Sequence, residues 1–337
     1  MKKINILVIA ILGIILFSLT TCFSDYEGGK GNIKINFNNS SARQAGGDAT
    51  YIIILTNEYG EVITETATGS TVLRVTPGKW TVEVRREVAG VLEHYDLTTT
   101  EVRMGKTNTA ELDMQAAVEI SDITDGSFSN THYILLKGEE ITVNDSITID
   151  TGKTHTLIPV GNVKITRSYE DNPFKGNFFM VAGTLTLGAK GMTGTLIIDG
   201  LLSGNDDAYD SIITISGGEL NMYPGVILKN NEWNTPSDNK GGGVFVGTGT
   251  FTMHGGTISG NKIFTNSGVA YGGGVFVDTG GTFIMYDGTI SGNKVFKGTG
   301  VAKGGGVYVD AGGTFNEYGG EISDNTANGE ESNVHIE

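Results

Sequence analysis

GGGVFVDTGGTFIMYDGTISGNK, residues 272–294, has a near-copy on either side: GGGVFVGTGTFTMHGGTISGNK at 241–262 and GGGVYVDAGGTFNEYGGEISDNT at 304–326. The copies start 31 and then 32 residues apart, and self-similarity at such a period is the signature of stacked repeats. Each copy holds three short β-prone runs, typified by VFVD, TFIM and TISGN, bounded by Gly, Asp or Asn. Three strands and three turns per period describe one coil of a parallel β-helix. Side chains two apart on a strand share a face, so Val244, Val275 and Val307 should form one column. Val246, Val277 and Val309 should form a second, and Ile258, Ile290 and Ile322 a third. One repeat cannot enclose such an interior alone, which makes coil-on-coil contact the source of stability.

The turns fit this reading. Glycine accounts for 51 of 337 residues, about twice average usage, as expected of corners that need positive φ or close backbone approach. Asn261, Asn293 and Asn325 occupy one equivalent corner and are expected to form a structural amide ladder. Weaker copies run back through GGELNMYPGVILKNNEW from Gly217, FFMVAGTLTLGAKGMTGTLIIDG from Phe178 and YILLKGEEITVNDSITID from Tyr133. The helix is therefore expected over 118–337, with about six or seven coils, right-handed by the crossover preference of parallel strands.

The chain before it is of another kind. A basic start, an apolar run over 4–19 and Cys22 after Leu19-Thr20-Thr21 read as an export signal over 1–22. Its end resembles a bacterial lipobox, which implies lipidation of Cys22 and attachment to a membrane. Cys22 is the single cysteine, which excludes an internal disulfide and a cysteine-based zinc site. Residues 23–31 read as a polar tether. From 32 to 117, alternating runs such as IKINF, TYIIILT and KWTVEVRREV, separated by NEYG and TPGK, predict a small antiparallel β-sandwich with Trp80 in its core. TPGKWTVEVRRE followed by EVRMGKTNTAELDM resembles the prealbumin-like, carboxypeptidase-regulatory type of sandwich.

Charge divides the chain unevenly. Residues 1–117 hold 11 Lys or Arg against 13 Asp or Glu, and residues 118–337 hold 12 against 25, so −13 of the net −15 lies in the repeats. That balance disfavours a nucleic-acid partner and, for the same reason, an acidic polysaccharide.

Gly272-Gly273-Gly274-Val275-Phe276 with Ile290-Ser291-Gly292-Asn293, and their counterparts one coil either side, resemble the repeats of polymorphic outer-membrane proteins of bacteria. The resemblance covers 241–325 well and 178–240 loosely, and it implies a surface-displayed, adhesin-like protein, with a periplasmic facing left open. Parallel β-helices also host polysaccharide lyases and hydrolases. Such an enzyme needs clustered carboxylates or a basic residue at the site; Asp206-Asp207 is an isolated acidic pair, Arg167 is the one Arg after 118, and His254 aligns with tyrosines. A mechanical spacer is a third reading.

Binding, if the rod binds, is expected at two places. One is the column Tyr223, His254, Tyr286 and Tyr318, which would offer aromatic faces to sugar rings or to a protein. The other is the set of longer loops after the third strand, with Trp233 and Tyr271 as anchors. The expectation is a lipid-tethered, non-catalytic binding module for glycan or protein, without cofactor or metal. Self-association through an uncapped last coil is the further partner considered, with Glu317, Glu321, Asp324, Glu330 and Glu331 as its guard.

Overall fold

The computed structural model describes residues 29–37, 49–88, 91–112, 114–118, 131–136, 140–159, 161–168, 175–192, 194–201, 210–235 and 238–337. Cys22 with its preceding apolar run, most of the 23–31 tether, and the Asp206-Asp207 pair lie outside these residues. All regular structure described is β, and the chain divides into two compact units on either side of Met114.

The first unit holds two sheets around one core. In one, Gly31–Phe37 lies between Thr71–Val75 and Thr107–Leu112; in the other, Val62–Ala67, Ala49–Asn57, Gly78–Val88 and Val91–Val102 pair antiparallel in that order. Ile33 and Ile35 from the first meet Ile53, Leu55, Trp80, Val82 and Val84 from the second. Trp80 is fully buried and donates its indole N–H to the Thr76 carbonyl at 2.8 Å, so burial leaves no orphaned donor. The Asn57 turn is fixed by its own side chain, whose Oδ1 accepts from the amides of Tyr59 and Glu61. One pairing departs from the antiparallel expectation: Gly31–Phe37 runs parallel to Thr107–Leu112.

The second unit is the parallel solenoid. Its first sheet starts from Gln115–Val118 and stacks Thr131–Leu136, Thr154–Pro159, Thr184–Leu187, Glu219–Met222, Thr250–Met253, Thr282–Met285 and Thr314–Glu317. The second sheet runs from Glu140–Val143 to Glu321–Ser323, and the third from Ile147–Ile149 to Val334–Ile336, each seven strands deep. At about 4.8 Å per coil this is a stack of roughly 30 Å. The expected columns are in register: Val244 opposite Val275 opposite Val307, and Ile258 opposite Ile290 opposite Ile322. Inside, Phe251, Phe283 and Phe315 stack at 4.8 and 4.9 Å between ring centroids.

The longer segments after the third run are not loops in the repeats from Glu232 onward. From the fourth coil onward the chain leaves the second sheet at the Asn corner and builds an arm of two further short ladders. Glu232–Thr235, Lys262–Thr265, Lys294–Lys297 and Thr326–Ala327 form one; Asn239–Lys240, Val269–Tyr271 and Val301–Lys303 form the other. Ile263, Ala270 and Val295 are fully buried between them. The triple glycine brings each arm back. Gly272 has φ 66°, and a Cβ on Gly273 would stand against the carbonyl oxygen of Gly305 in the next coil.

Candidate functional site

The outward side chains of the first sheet form three rows. Along each strand, residues 250, 252 and 254 point away from the core while Phe251 and Met253 point into it. Pairing places Thr184, Glu219, Thr250, Thr282 and Thr314 in the first row, and Thr186, Asn221, Thr252, Ile284 and Asn316 in the second. The third row is Tyr223, His254, Tyr286 and Tyr318. The amides of the last three continue the ladder, donating to the carbonyls of Met222, Met253 and Met285 at 2.8, 2.9 and 2.8 Å. Side chains on this face therefore repeat about every 4.8 Å along the rod and about every 7 Å along the strand.

The aromatic column stands where the sequence placed it. Ring centroids are 4.6 Å apart for Tyr223 and His254, 5.6 Å for His254 and Tyr286, and 5.2 Å for Tyr286 and Tyr318, with interplanar angles of 18°, 7° and 14°. This geometry changes what the column can do. Rings stacked face to face along the rod hide their π-faces against one another and turn their edges outward. The expected row of open aromatic faces is replaced by a row of edges and phenol groups, with ring faces left only at the two ends of the stack, on the half-buried Tyr223 and on Tyr318, which is 69% exposed. His254 lies between two tyrosines, and burial followed by the charge of Lys190 holds its imidazole below the usual histidine range.

The two proposed anchors sit otherwise. Trp233 packs half-buried against the small arm core of Ile263, Ala270 and Val295. Tyr271 stacks on Tyr308 at 4.2 Å and 3°. Tyr308 belongs to a second aromatic column, Phe245, Phe276, Tyr308 and His335, with centroids 5.3 to 5.4 Å apart on the outer side of the third sheet. The arm covers it: Phe276 is fully buried, and the Lys240 amine stands 4.7 Å from its ring. Burial and the hydrogen bond to Glu337 push the Tyr308 phenol well above the usual tyrosine range, and the same bond, with the Lys303 amine, draws the Glu337 carboxyl down. Sequence reading missed this column. Its signal was present in VFV, VFV and VYV, strands apolar on both faces and so covered on both.

The Asn ladder is structural, as expected, and longer than expected. Asn231, Asn261, Asn293 and Asn325 are all fully buried. The Oδ1 atoms of Asn261, Asn293 and Asn325 each accept the backbone amide of the ladder Asn one coil back at 3.0 Å, while Nδ2 of Asn293 donates to the Ile258 carbonyl at 2.9 Å. One end is closed by Arg167, whose guanidinium passes Gly200 and donates to Asn231 Oδ1 at 2.7 Å and to the carbonyls of Gly200 and Gly176. The other is closed by Asn333, whose Oδ1 accepts from Asn325 at 3.2 Å. Arg167, the base that a lyase reading would use, is thus 1% exposed and committed to the fold.

No family model, curated protein or solved structure matches this chain.

Proposed function

We propose that the chain is an exported, membrane-tethered, non-catalytic binding module in which the solenoid presents its first-sheet face to an extended glycan or polypeptide. The observation that supports it is the set of three in-register rows: hydroxyls and amides beside an edge-on aromatic column, with Glu219 the one charged residue in them and Tyr286 and Tyr318 49% and 69% exposed. Repeated donors and acceptors at a fixed pitch suit a repeating polymer better than a compact metabolite, because each added unit of ligand meets an equivalent set of groups. Tyr318, the more exposed end of the column, supplies a place where a sugar ring or an aromatic side chain would stack on a free face.

The tether belongs to the same proposal. Acylation of Cys22 would hold the chain on a membrane through more than one acyl chain, and the resemblance of the repeats to polymorphic outer-membrane proteins supports display at a bacterial surface. Two experiments test the two parts. The Tyr286→Ala/Tyr318→Ala variant should lose at least about tenfold in affinity for glycan or cell-surface preparations that the parent chain retains, with an unchanged far-UV spectrum; equal retention would discard the face. Cys22→Ser should abolish incorporation of labelled fatty acid and release the chain from membranes, and persistent labelling would discard the anchor.

A further inference from the structure

The outward face of the arm differs in charge from the rod that carries it. Lys262 and Lys294 lie directly opposite one another on neighbouring coils, while Lys297, at the end of the same strand as Lys294, holds the register position of the buried Thr265 on the opposite side. Like charges facing each other across a ladder are destabilising. Elsewhere in the solenoid four lysines find acids: Lys164 with Glu140, Lys229 with Asp199, Lys240 with Asp310, Lys303 with Glu337. Among the described residues, Lys262, Lys294 and Lys297 have no such partner. Glu232, in register one coil before Lys262, stands outside ion-pair distance. Edge protection does not account for the lysines either, because the strands of Lys262 and Lys294 are interior to their ladder, paired on both sides.

Two residues further along, on the same face, Phe264 lies opposite Phe296. Both are half-buried, and unlike the other aromatic rows they make no ring–ring contact. The face therefore sets a pair of uncompensated amines, about 4.8 Å apart, some 7 Å from a pair of rings not closed against each other.

We propose that this face of the arm binds an anionic polysaccharide, its carboxylates or sulfates on Lys262 and Lys294 and the C–H face of its sugars on Phe264 and Phe296. The amines give charge-assisted hydrogen bonds to the acid groups and relieve their own repulsion in doing so. The net charge of the repeats argues against such a ligand only on average; the local pattern is the reverse, and within a Debye length of about 8 Å at physiological salt the local charges dominate. The site is separate from the first-sheet face and stands or falls without it.

The test uses the full chain on immobilised polygalacturonate and on dextran sulfate, with unmodified dextran and single-stranded DNA as comparisons. The expected result is retention on either acidic polysaccharide, weakened by salt, with little on dextran or DNA. Lys262→Gln/Lys294→Gln should lower affinity at least tenfold with Tm unchanged or raised, Lys262→Arg/Lys294→Arg should keep it, and Lys164→Gln should leave it alone. Retention on the two acidic polymers distinguishes carboxylate from sulfate as the favoured group. Equal retention on dextran, stronger retention on DNA, failure to retain either acidic polymer, unaltered affinity in the Gln variant, or a lowered Tm in it would each overturn the proposal.

Discussion

Asn293 shows how much a single corner residue carries. Its Oδ1 accepts from both the backbone and the side-chain amide of Asn261, and its own amides are spent on Asn325 and Ile258. Asn293→Ala should orphan several of these buried groups at about 1–3 kcal/mol each, read as a lowered midpoint in chemical denaturation; a loss below about 0.5 kcal/mol would show the ladder to be incidental. His254 makes a pH prediction. Its folded pKa is depressed, so the unfolded chain binds the proton more readily, and the stability it contributes is full above the unfolded value of about 6.5 and falls as pH drops through the window below it. His254→Tyr, which matches the rest of the column, should make Tm fall less between pH 7 and 5 than in the parent; the opposite sign would contradict the assignment. The Asn corner was legible in the sequence because it recurs at the repeat period. Arg167 as its cap was not, since it occurs once and reaches across a coil through the gap left by Gly200.

The arm is the part of the fold that sequence reading mistook. Its strands are two to four residues long, and KIFTNSGVAY read alone has the polarity of a loop. Order comes from stacking: Ile263 is apolar by itself but becomes core when Val295 lies above it and Trp233 below. Ile263→Ala should therefore act locally, costing about 2–5 kcal/mol. Hydrogen exchange should speed up in Lys262–Thr265 and Lys294–Lys297 while Val275–Val277 and Thr282–Met285 remain protected; uniform loss across the coils would contradict a semi-independent arm. In the first unit the strands and turns were readable from alternation and from Asn57 and Gly78. The parallel partnership of Gly31–Phe37 was not, because nothing local to either strand specifies a partner some 75 residues away.

Across the chain, one inward apolar column and one outward threonine column become charged in the coil from Thr314 to Ile336. Glu317 takes the register position of Met253 and Met285, and Glu321 that of Thr289. Asn328-Gly329, both at positive φ, turns the arm back antiparallel instead of continuing the ladder. Inward-register charge and a reversed strand are devices that oppose further pairing. Glu317→Met/Glu321→Thr should accordingly raise end-to-end association, seen as concentration-dependent sedimentation that the parent chain lacks. Everything proposed for the binding faces depends on equivalent residues of successive coils lying side by side. Disulfide trapping in a Cys22→Ser background reads that register directly. Thr250→Cys/Thr282→Cys joins partners about 4.8 Å apart, inside the range of roughly 4.4–6.8 Å between Cα atoms that a disulfide tolerates. This pair should oxidise readily while Thr250→Cys/Ile284→Cys, offset by two residues, should not; equal oxidation of both, or oxidation of the offset pair alone, would contradict the stacked coil.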